Sequence, residues 1–312
     1  MIQTSKLAIG VDIGGTNIKM GLVTSAGELV EFQSLLLKRN VYHSADIEWI
    51  CKTVKQFIHS NGIDDRLTGV GVASPGILDI ERGVVANAVN LGWENIQLVK
   101  NMEHYLNLDV SLVSDSVAGA LGEQNYSAAD MADYLFICIG TGLGASHVIK
   151  GFSNGTKVET INLGHMSIIP NGKKCICGNQ GCLEKYVSAS ALIERARNDM
   201  GETKTILKQY AEINGRLEAH HIHEAACKGD SYSLQLFREA GEWLGISIVN
   251  CIHLFGSKNI IIGGGLSRAG TYLLEPMQQE ITKRYPKNDL HISFGTLPTK
   301  SGVLGAASLV FK

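Results

Sequence analysis

The sequence predicts an α/β fold built as two domains, and three observations lead there. The chain has 312 residues, 45% of them hydrophobic, which is enough for two packed cores. Short apolar runs alternate with helical patterns along its length. A strand, a Gly/Thr turn and a second strand occur twice, as VDIGGTNIKMGLV from Val11 and ICIGTGLGASHVI from Ile137, with Gly14 and Gly140 in register. The repetition suggests internal duplication. A simpler reading is that each hairpin needs glycine at positive φ.

Taken in order, LAIGVDI, IKMGLVT and ELVEFQSLLL read as a meander of strands, and ADIEWICKTVKQFIHS as a helix. LTGVGVAS is a strand, and DVSLVSD is a strand leading into the helix SVAGALGEQN. The second half opens the same way, with strands YLFICIG and GASHVIKG. Helical stretches over 183–199 and 232–255, the strand NIIIGG and a final helix SGVLGAASLVF follow. Trp49, Trp93 and Trp243 read as core or hinge packing, with Trp93 also placed to stack on a ligand ring. His220, His221 and His223 read as a solvated helix face.

The formal net charge is -2 and no basic run is present, so neither nucleic acid nor an anionic membrane is a favoured partner. No stretch approaches the roughly 20 apolar residues of a membrane span. The amino terminus lacks a charged region, a long apolar core and a cleavage site, so a cytoplasmic location is expected. Small neutral or phosphorylated ligands remain open. Cys51, Cys138, Cys227 and Cys251 stand singly in apolar surroundings and read as buried reduced thiols.

Three glycine turns are candidates for cradling phosphate through backbone N–H groups: DIGGTN at Asp12, IGTGLG at Ile139 and IIGGGLS at Ile261. There is no G-x-x-x-x-G-K-[ST], and GTGLGA at Gly140 is followed by a strand rather than the helix that a dinucleotide site requires. In the first turn Asp12 suits a magnesium ion held through water, Thr16 and Asn17 offer side-chain donors, and Lys19 offers charge. Together these favour a nucleotide.

Cys175-x-Cys177-x4-Cys182, with Gly178 and Gly181 allowing a tight loop, brings three thiols together, and His165 ten residues earlier supplies a fourth donor. Cys3His is a closed tetrahedral zinc set with no position left for a reactive water, so the metal it predicts is structural. A disulfide is the competing reading. A reducing compartment and an odd number of cysteines oppose it.

These motifs together resemble the ROK sugar kinases of the actin-like ATPase superfamily. DIGGTNIKMG is similar to the family's first phosphate motif, ASPGILD to its sugar-proximal loop and NLGWEN to the segment after it. SDSVAGALGE resembles its catalytic segment, IGTGLGAS its second phosphate motif, IIGGGLS its adenosine motif and GHMSIIPNGKKCICGNQGCLE its metal signature. The resemblance implies two actin-like (ribonuclease H-like) α/β domains flanking a cleft. Residues 1–117 with a C-terminal helix at 300–312 would form one, and residues 118–299 with the zinc loop the other.

The resemblance also implies ATP-dependent phosphorylation of a hexose hydroxyl, by default the 6-position of glucose, with Mg2+ accompanying ATP and structural zinc ordering the sugar pocket. Asp115 matches the family's general base. It also ends a strand and begins a helix, where the bland reading is an N-cap. Ser74, Gly76, Asn90, Ser114, Asn162, His165 and Glu184 match sugar-contacting positions. Asp12, Gly14, Gly15, Thr16, Asn17, Lys19, Thr141, Gly142, Gly144, Gly264 and Gly265 match nucleotide-contacting ones.

Two positions depart from the family pattern, and both change a residue that hydrogen-bonds sugar hydroxyls. Ser114 stands where Asn is usual and Asn162 where Glu is usual, so altered sugar preference or weak turnover is expected. N-acetylmannosamine, fructose and allose stay open as substrates. A catalytically weak sugar-binding regulator also stays open, although only about ten residues precede the first phosphate motif, where ROK repressors carry a helix-turn-helix domain. ATP and a small sugar are the expected ligands, and a homodimer is the family habit.

Overall fold

The computed structural model describes residues 6–63, 66–127, 131–150, 156–287, 289–297 and 299–311. Gly151, at the end of the second expected strand of the second half, and Lys312 lie outside the described residues. The chain divides into two compact units. The first is Met1–Ala132, Ser146–Thr160 and Gly295–Lys312, and the second is Asp133–Ala145 and Ile161–Phe294.

The first unit opens on β1 (Leu7–Ile13), β2 (Asn17–Thr24) and β3 (Leu29–Leu36), continues through α1 (Ile47–Ser60) to β4 (Leu67–Ser74), and reaches β8 (Val110–Ser114) and α3 (Asp115–Tyr126). Between them lie a small three-stranded sheet of β5 (Ile77–Asp79), β6 (Val84–Ala88) and β7 (Trp93–Ile96), and then α2 (Leu98–Leu106). The main sheet runs β3-β2-β1-β4-β8, antiparallel across the meander and parallel from β1 to β8. β1 is a near-continuous apolar run because it is central and covered on both faces. β3, at the edge, has no fully buried residue. Asp46 caps α1 by accepting from the Trp49 N–H at 3.0 Å, and Ile50, Cys51, Val54, Phe57 and Ile58 form its buried stripe.

The second sheet holds β9 (Asp133–Ile139), β10 (Leu143–Lys150), β11 (Thr156–Ile161), β12 (Asn259–Gly263) and β13 (His291–Phe294) in the order β11-β10-β9-β12-β13. Position for position this repeats the first sheet, so the duplication seen in the two hairpins extends to the strand order of both sheets. Neither Gly14 nor Gly140 adopts a positive φ, which removes backbone handedness as the reason both hairpins carry glycine.

The helices of the second unit are α4 (Glu184–Val187), α5 (Ala189–Asp199), α6 (Leu207–Asn214), α7 (Ala219–Cys227), α8 (Ser231–Phe255) and α9 (Thr271–Arg284). The single helix expected over 183–199 is two. Ser188 is extended (ψ 158°) and caps α5 by accepting from the Ala191 N–H at 3.1 Å, a local bond that competes with helix continuation.

The domain break expected at 117/118 falls inside α3, all of which belongs to the first unit. The physical reason is α10 (Ser301–Ser308), which packs along α3 so closely that a Cβ on Gly305 would lie 1.7 Å from the Ala118 carbonyl oxygen and one on Gly122 2.1 Å from that of Ser301. Glu123, 1% exposed, anchors the segment leading to α10, accepting from the N–H groups of Thr296 (3.1 Å) and Leu297 (2.9 Å).

Several side chains differ from expectation, Cys138 among them in being only partly buried. Cys227 is exposed rather than buried. Trp93 is a core residue, 3% exposed with its indole N–H donated to the Ala45 carbonyl at 2.8 Å, so its ring face is not available to a sugar. His221 is buried, its Nδ1 accepting from the Glu218 N–H at 3.0 Å as part of the α7 capping box, and burial beside His220 holds its pKa below the usual histidine range.

Candidate active site and zinc centre

In the first unit, β1 and β2 pair up to Ile13–Ile18, and the turn between them closes with the Gly14 N–H donating to the Asn17 carbonyl at 2.8 Å. Gly14, Gly15 and Thr16 form its tip. Asp12 and Lys19 face each other across the ladder and form an ion pair at 2.7 Å, with side chains 13% and 29% exposed. Lys19 therefore does not stand as an independent charge for phosphates. One Asp12 oxygen is engaged, so its carboxylate suits magnesium through a bridging water rather than direct ligation.

The tip is pinned from outside by two contacts. The Leu37 N–H donates to the Thr16 carbonyl at 2.8 Å, and Arg39 Nη2 donates to the Gly15 carbonyl at 2.9 Å. Sequence reading passed over Arg39, because a basic residue after an edge strand carries no signal of its own.

Asp115 is the first residue of α3, exposed, with Oδ1 accepting from the Ser116 N–H at 2.7 Å. The cap itself is Ser114, whose Oγ accepts from the Val117 N–H at 3.3 Å and lies 3.2 Å from Thr160 Oγ1. The N-cap duty therefore falls on Ser114, and the Asp115 carboxylate lies exposed at the first turn of the helix. Ser74 lies beside Ser114 in the β4–β8 register, but it is fully buried and donates to the Pro75 carbonyl. Its hydroxyl is turned inward rather than toward a ligand. Gly76 (φ 103°) and Asn90 are exposed.

In the second unit the β9–β10 hairpin closes with the Gly140 N–H donating to Gly142 O at 2.9 Å, and Thr141 is exposed at its tip. Gly144 lies in β10. Gly264 (φ 84°) presses on this hairpin: a Cβ there would lie 2.4 Å from the Ile139 carbonyl oxygen, so glycine is required. Gly265 follows it, exposed, at the start of a 3-10 turn. The Ala189 N–H donates to the Gly140 carbonyl at 2.9 Å, and Glu184 Oε2 accepts from the Leu143 N–H at 2.8 Å. Glu184 thus joins the start of α4 to the hairpin.

Immediately before Glu184, the donor atoms of His165, Cys175, Cys177 and Cys182 all lie within 4.8 Å of one another. Cys175 Sγ is 3.8 Å from His165 Nδ1, and Cys177 Sγ is 3.7 Å from Cys182 Sγ. Zinc bonds of about 2.0–2.3 Å give tetrahedral edges of roughly 3.5–3.8 Å, so this donor set fits zinc, while a disulfide needs about 2.05 Å between sulfurs. The loop turns through Gly178 (φ 91°) and Gly181 (φ 71°). Asn179, unsignalled in the sequence, holds it by donating to the His165 carbonyl (3.1 Å) and Ser167 Oγ (3.0 Å).

Burial pushes the Cys182 thiol up to about 12, reinforced by Cys177 and Cys175. For Cys177 burial acts in the same direction, but the Asn179 N–H and the neighbouring thiols outweigh it and lower its pKa. A cation at their centre removes this crowding of sulfurs. Asn162, exposed at the start of the 3-10 turn that carries His165, makes no side-chain cap.

The sequence pattern of the ROK family matches residues 8–312. The glucokinase of Halalkalibacterium halodurans is 31% identical over 97% of this chain and 94% of its own length. The xylose repressor of Bacillus subtilis is 28% identical over 97% of this chain and 76% of its own. Among solved structures, a ROK family glucokinase from Streptomyces griseus in complex with glucose and AMPPNP superposes with a TM-score of 0.82 at 28% identity, covering 97% of this chain and 98% of that one. With its paired sheets, glycine turns and Cys3His loop, the chain belongs to the ROK family.

Proposed function

We propose that this protein is an ATP-dependent hexose kinase. The observation that carries the reading is the Asp115 carboxylate, held exposed at the first turn of α3 while Ser114 takes over the capping bond. A sugar hydroxyl oxygen attacks the γ-phosphorus of ATP as its proton passes to Asp115. The bond from that phosphorus to the β–γ bridging oxygen breaks, and its electrons leave with ADP. The Gly14–Thr16 turn, the Gly140–Gly142 turn and the Gly264–Gly265 segment hold the nucleotide through backbone N–H groups. Magnesium supplies charge neutralisation when bound with ATP, with Asp12 orienting its water.

Zinc at His165, Cys175, Cys177 and Cys182 is structural and orders the segment that ends in Glu184. Gly76, Asn90, His165 and Glu184 contact the sugar, and the 6-hydroxyl of glucose is the default acceptor. Ser114 and Asn162 shift preference among hexoses, with N-acetylmannosamine, fructose and allose the alternatives. The thiolate set suits the reducing cytoplasm, and a homodimer is the assembly that size-exclusion chromatography with light scattering tests.

The activity test is ADP release with Mg-ATP against a panel of hexoses and N-acetylhexosamines, for the wild type and Asp115→Asn. Sugar-dependent release that the substitution abolishes establishes the kinase and names its substrate. Likeness to the xylose repressor, together with the changes at positions 114 and 162, favours one second reading, a sugar-binding regulator. Sugar binding with no turnover on any member of the panel selects it.

A further inference from the structure

We infer that Arg39 is a positioning residue that couples the sugar-facing segment around Asn90 to the nucleotide turn at Gly14–Thr16. Its guanidinium donates to three carbonyls on three different stretches of the first unit. Nη1 reaches His43 O at 2.7 Å, and Nη2 reaches both Gly15 O at 2.9 Å and Asn90 O at 2.8 Å. Arginine is exposed here, and fixing one rotamer of so long a side chain costs up to about 2 kcal/mol of entropy. Three donor bonds to carbonyls offset that cost and specify a planar fork, which a lysine cannot reproduce.

The backbone also joins the two ends, through the Leu37 N–H on the Thr16 carbonyl (2.8 Å) and the Asp46 N–H on the Lys38 carbonyl (3.0 Å), and the guanidinium adds the link from the Gly15 carbonyl to Asn90. Residues 40–45 are fastened to the Asn90 side: the Ala45 N–H donates to Leu91 O at 2.6 Å, and Ser44 Oγ donates to Gly92 O at 2.8 Å. Asn40 Oδ1 accepts from the N–H groups of Tyr42 and Ser44, at 2.9 and 3.1 Å, holding a loop in which His43 sits at φ 60°. This loop and the 90–92 segment are therefore hydrogen-bonded to each other, and Arg39 ties both to Gly15.

The bond at Gly15 has a defined consequence for ligand binding. In a trans peptide the N–H points opposite to the C=O, so drawing the Gly15 carbonyl toward Arg39 turns the Thr16 N–H the other way. A glycine peptide left untied rotates easily and can present its oxygen to an anion, which repels phosphate. Arg39 removes that option and keeps a donor aimed where the turn offers its N–H groups. A sugar that fixes Asn90 thereby fixes the peptide that meets phosphate, and the coupling runs equally in reverse.

The inference rests on the kinase reading, and its test separates the two. Isothermal titration measures AMPPNP binding with and without saturating hexose, the hexose being glucose, N-acetylmannosamine or fructose as the turnover panel selects. For the wild type the hexose is expected to tighten AMPPNP roughly 5- to 150-fold, the ordinary range of coupling between sites. Arg39→Lys and Arg39→Gln are expected to bring that factor close to 1 while the unliganded chains keep the wild-type circular dichroism and still bind hexose. A factor undiminished in both variants, or a wild-type factor of 1, overturns the assignment of Arg39 and leaves the kinase reading standing. A wild type that binds neither AMPPNP nor any hexose overturns both.

Discussion

The Glu184 carboxylate accepts a 2.8 Å hydrogen bond from the Leu143 N–H, so the residue two positions after the last cysteine of the Cys3His set also holds the β9–β10 hairpin. Removing the acceptor leaves the N–H of a buried residue unsatisfied, which costs about 1–3 kcal/mol. Glu184→Ala should lose that much in urea denaturation. Glu184→Gln, which keeps an oxygen in reach, should lose less than half of it.

Zinc content is measurable directly. One zinc per chain is expected from atomic absorption, and Cys177→Ser should lower it severalfold because a three-donor set no longer closes the tetrahedron. Chelation should raise the sugar KM and lower the thermal midpoint together. A chain that purifies without zinc and keeps both values would contradict the zinc assignment.

Asp115→Asn preserves shape and removes the carboxylate proposed as the base. It should lower kcat by about 10²–10⁴ while hexose binding stays within a few-fold. A loss confined to KM would move Asp115 from proton transfer to binding.

Asp230 caps α8, accepting from the Ser233 N–H at 2.8 Å and the Ile206 N–H at 2.9 Å. Burial alone would raise its pKa, but these bonds outweigh it and hold the carboxyl below the usual range. A depressed folded-state value means the stabilisation is present above the unfolded pKa near 3.9 and is lost as pH falls through the lower folded value. Asp230→Ala should therefore cost about 1 kcal/mol at pH 7, and the gap from wild type should narrow below pH 4 in urea midpoints.

Much of this was legible in the sequence because it rests on local pattern. The strand–glycine–strand units, the Cys175/Cys177/Cys182 spacing and the strand-to-helix junction at Ser114–Asp115 are all short-range features. What stayed hidden depends on partners far along the chain. Nothing in the strand LTGVGVAS signals that the Ser74 hydroxyl is fully buried, and Lys19 looks like an independent charge until the register places it opposite Asp12. Arg39 finds carbonyls 24 and 51 residues away, and Glu123 binds N–H groups more than 170 residues on. The break at Ser188 was local, but its hydroxyl competes with helix propensity in a way that periodicity does not register.

The packing of α10 on α3 and the Glu123 anchor set a condition on the order of synthesis. Most of the first unit is translated before the second, yet it includes residues 301–308, translated after the whole second unit. Until they arrive, the small-residue face of α3 and the neighbouring surface of β1 and β4 have no cover. The amino-terminal sheet must wait in a partly exposed state through some 170 further codons, a window in which aggregation or chaperone capture competes with completion.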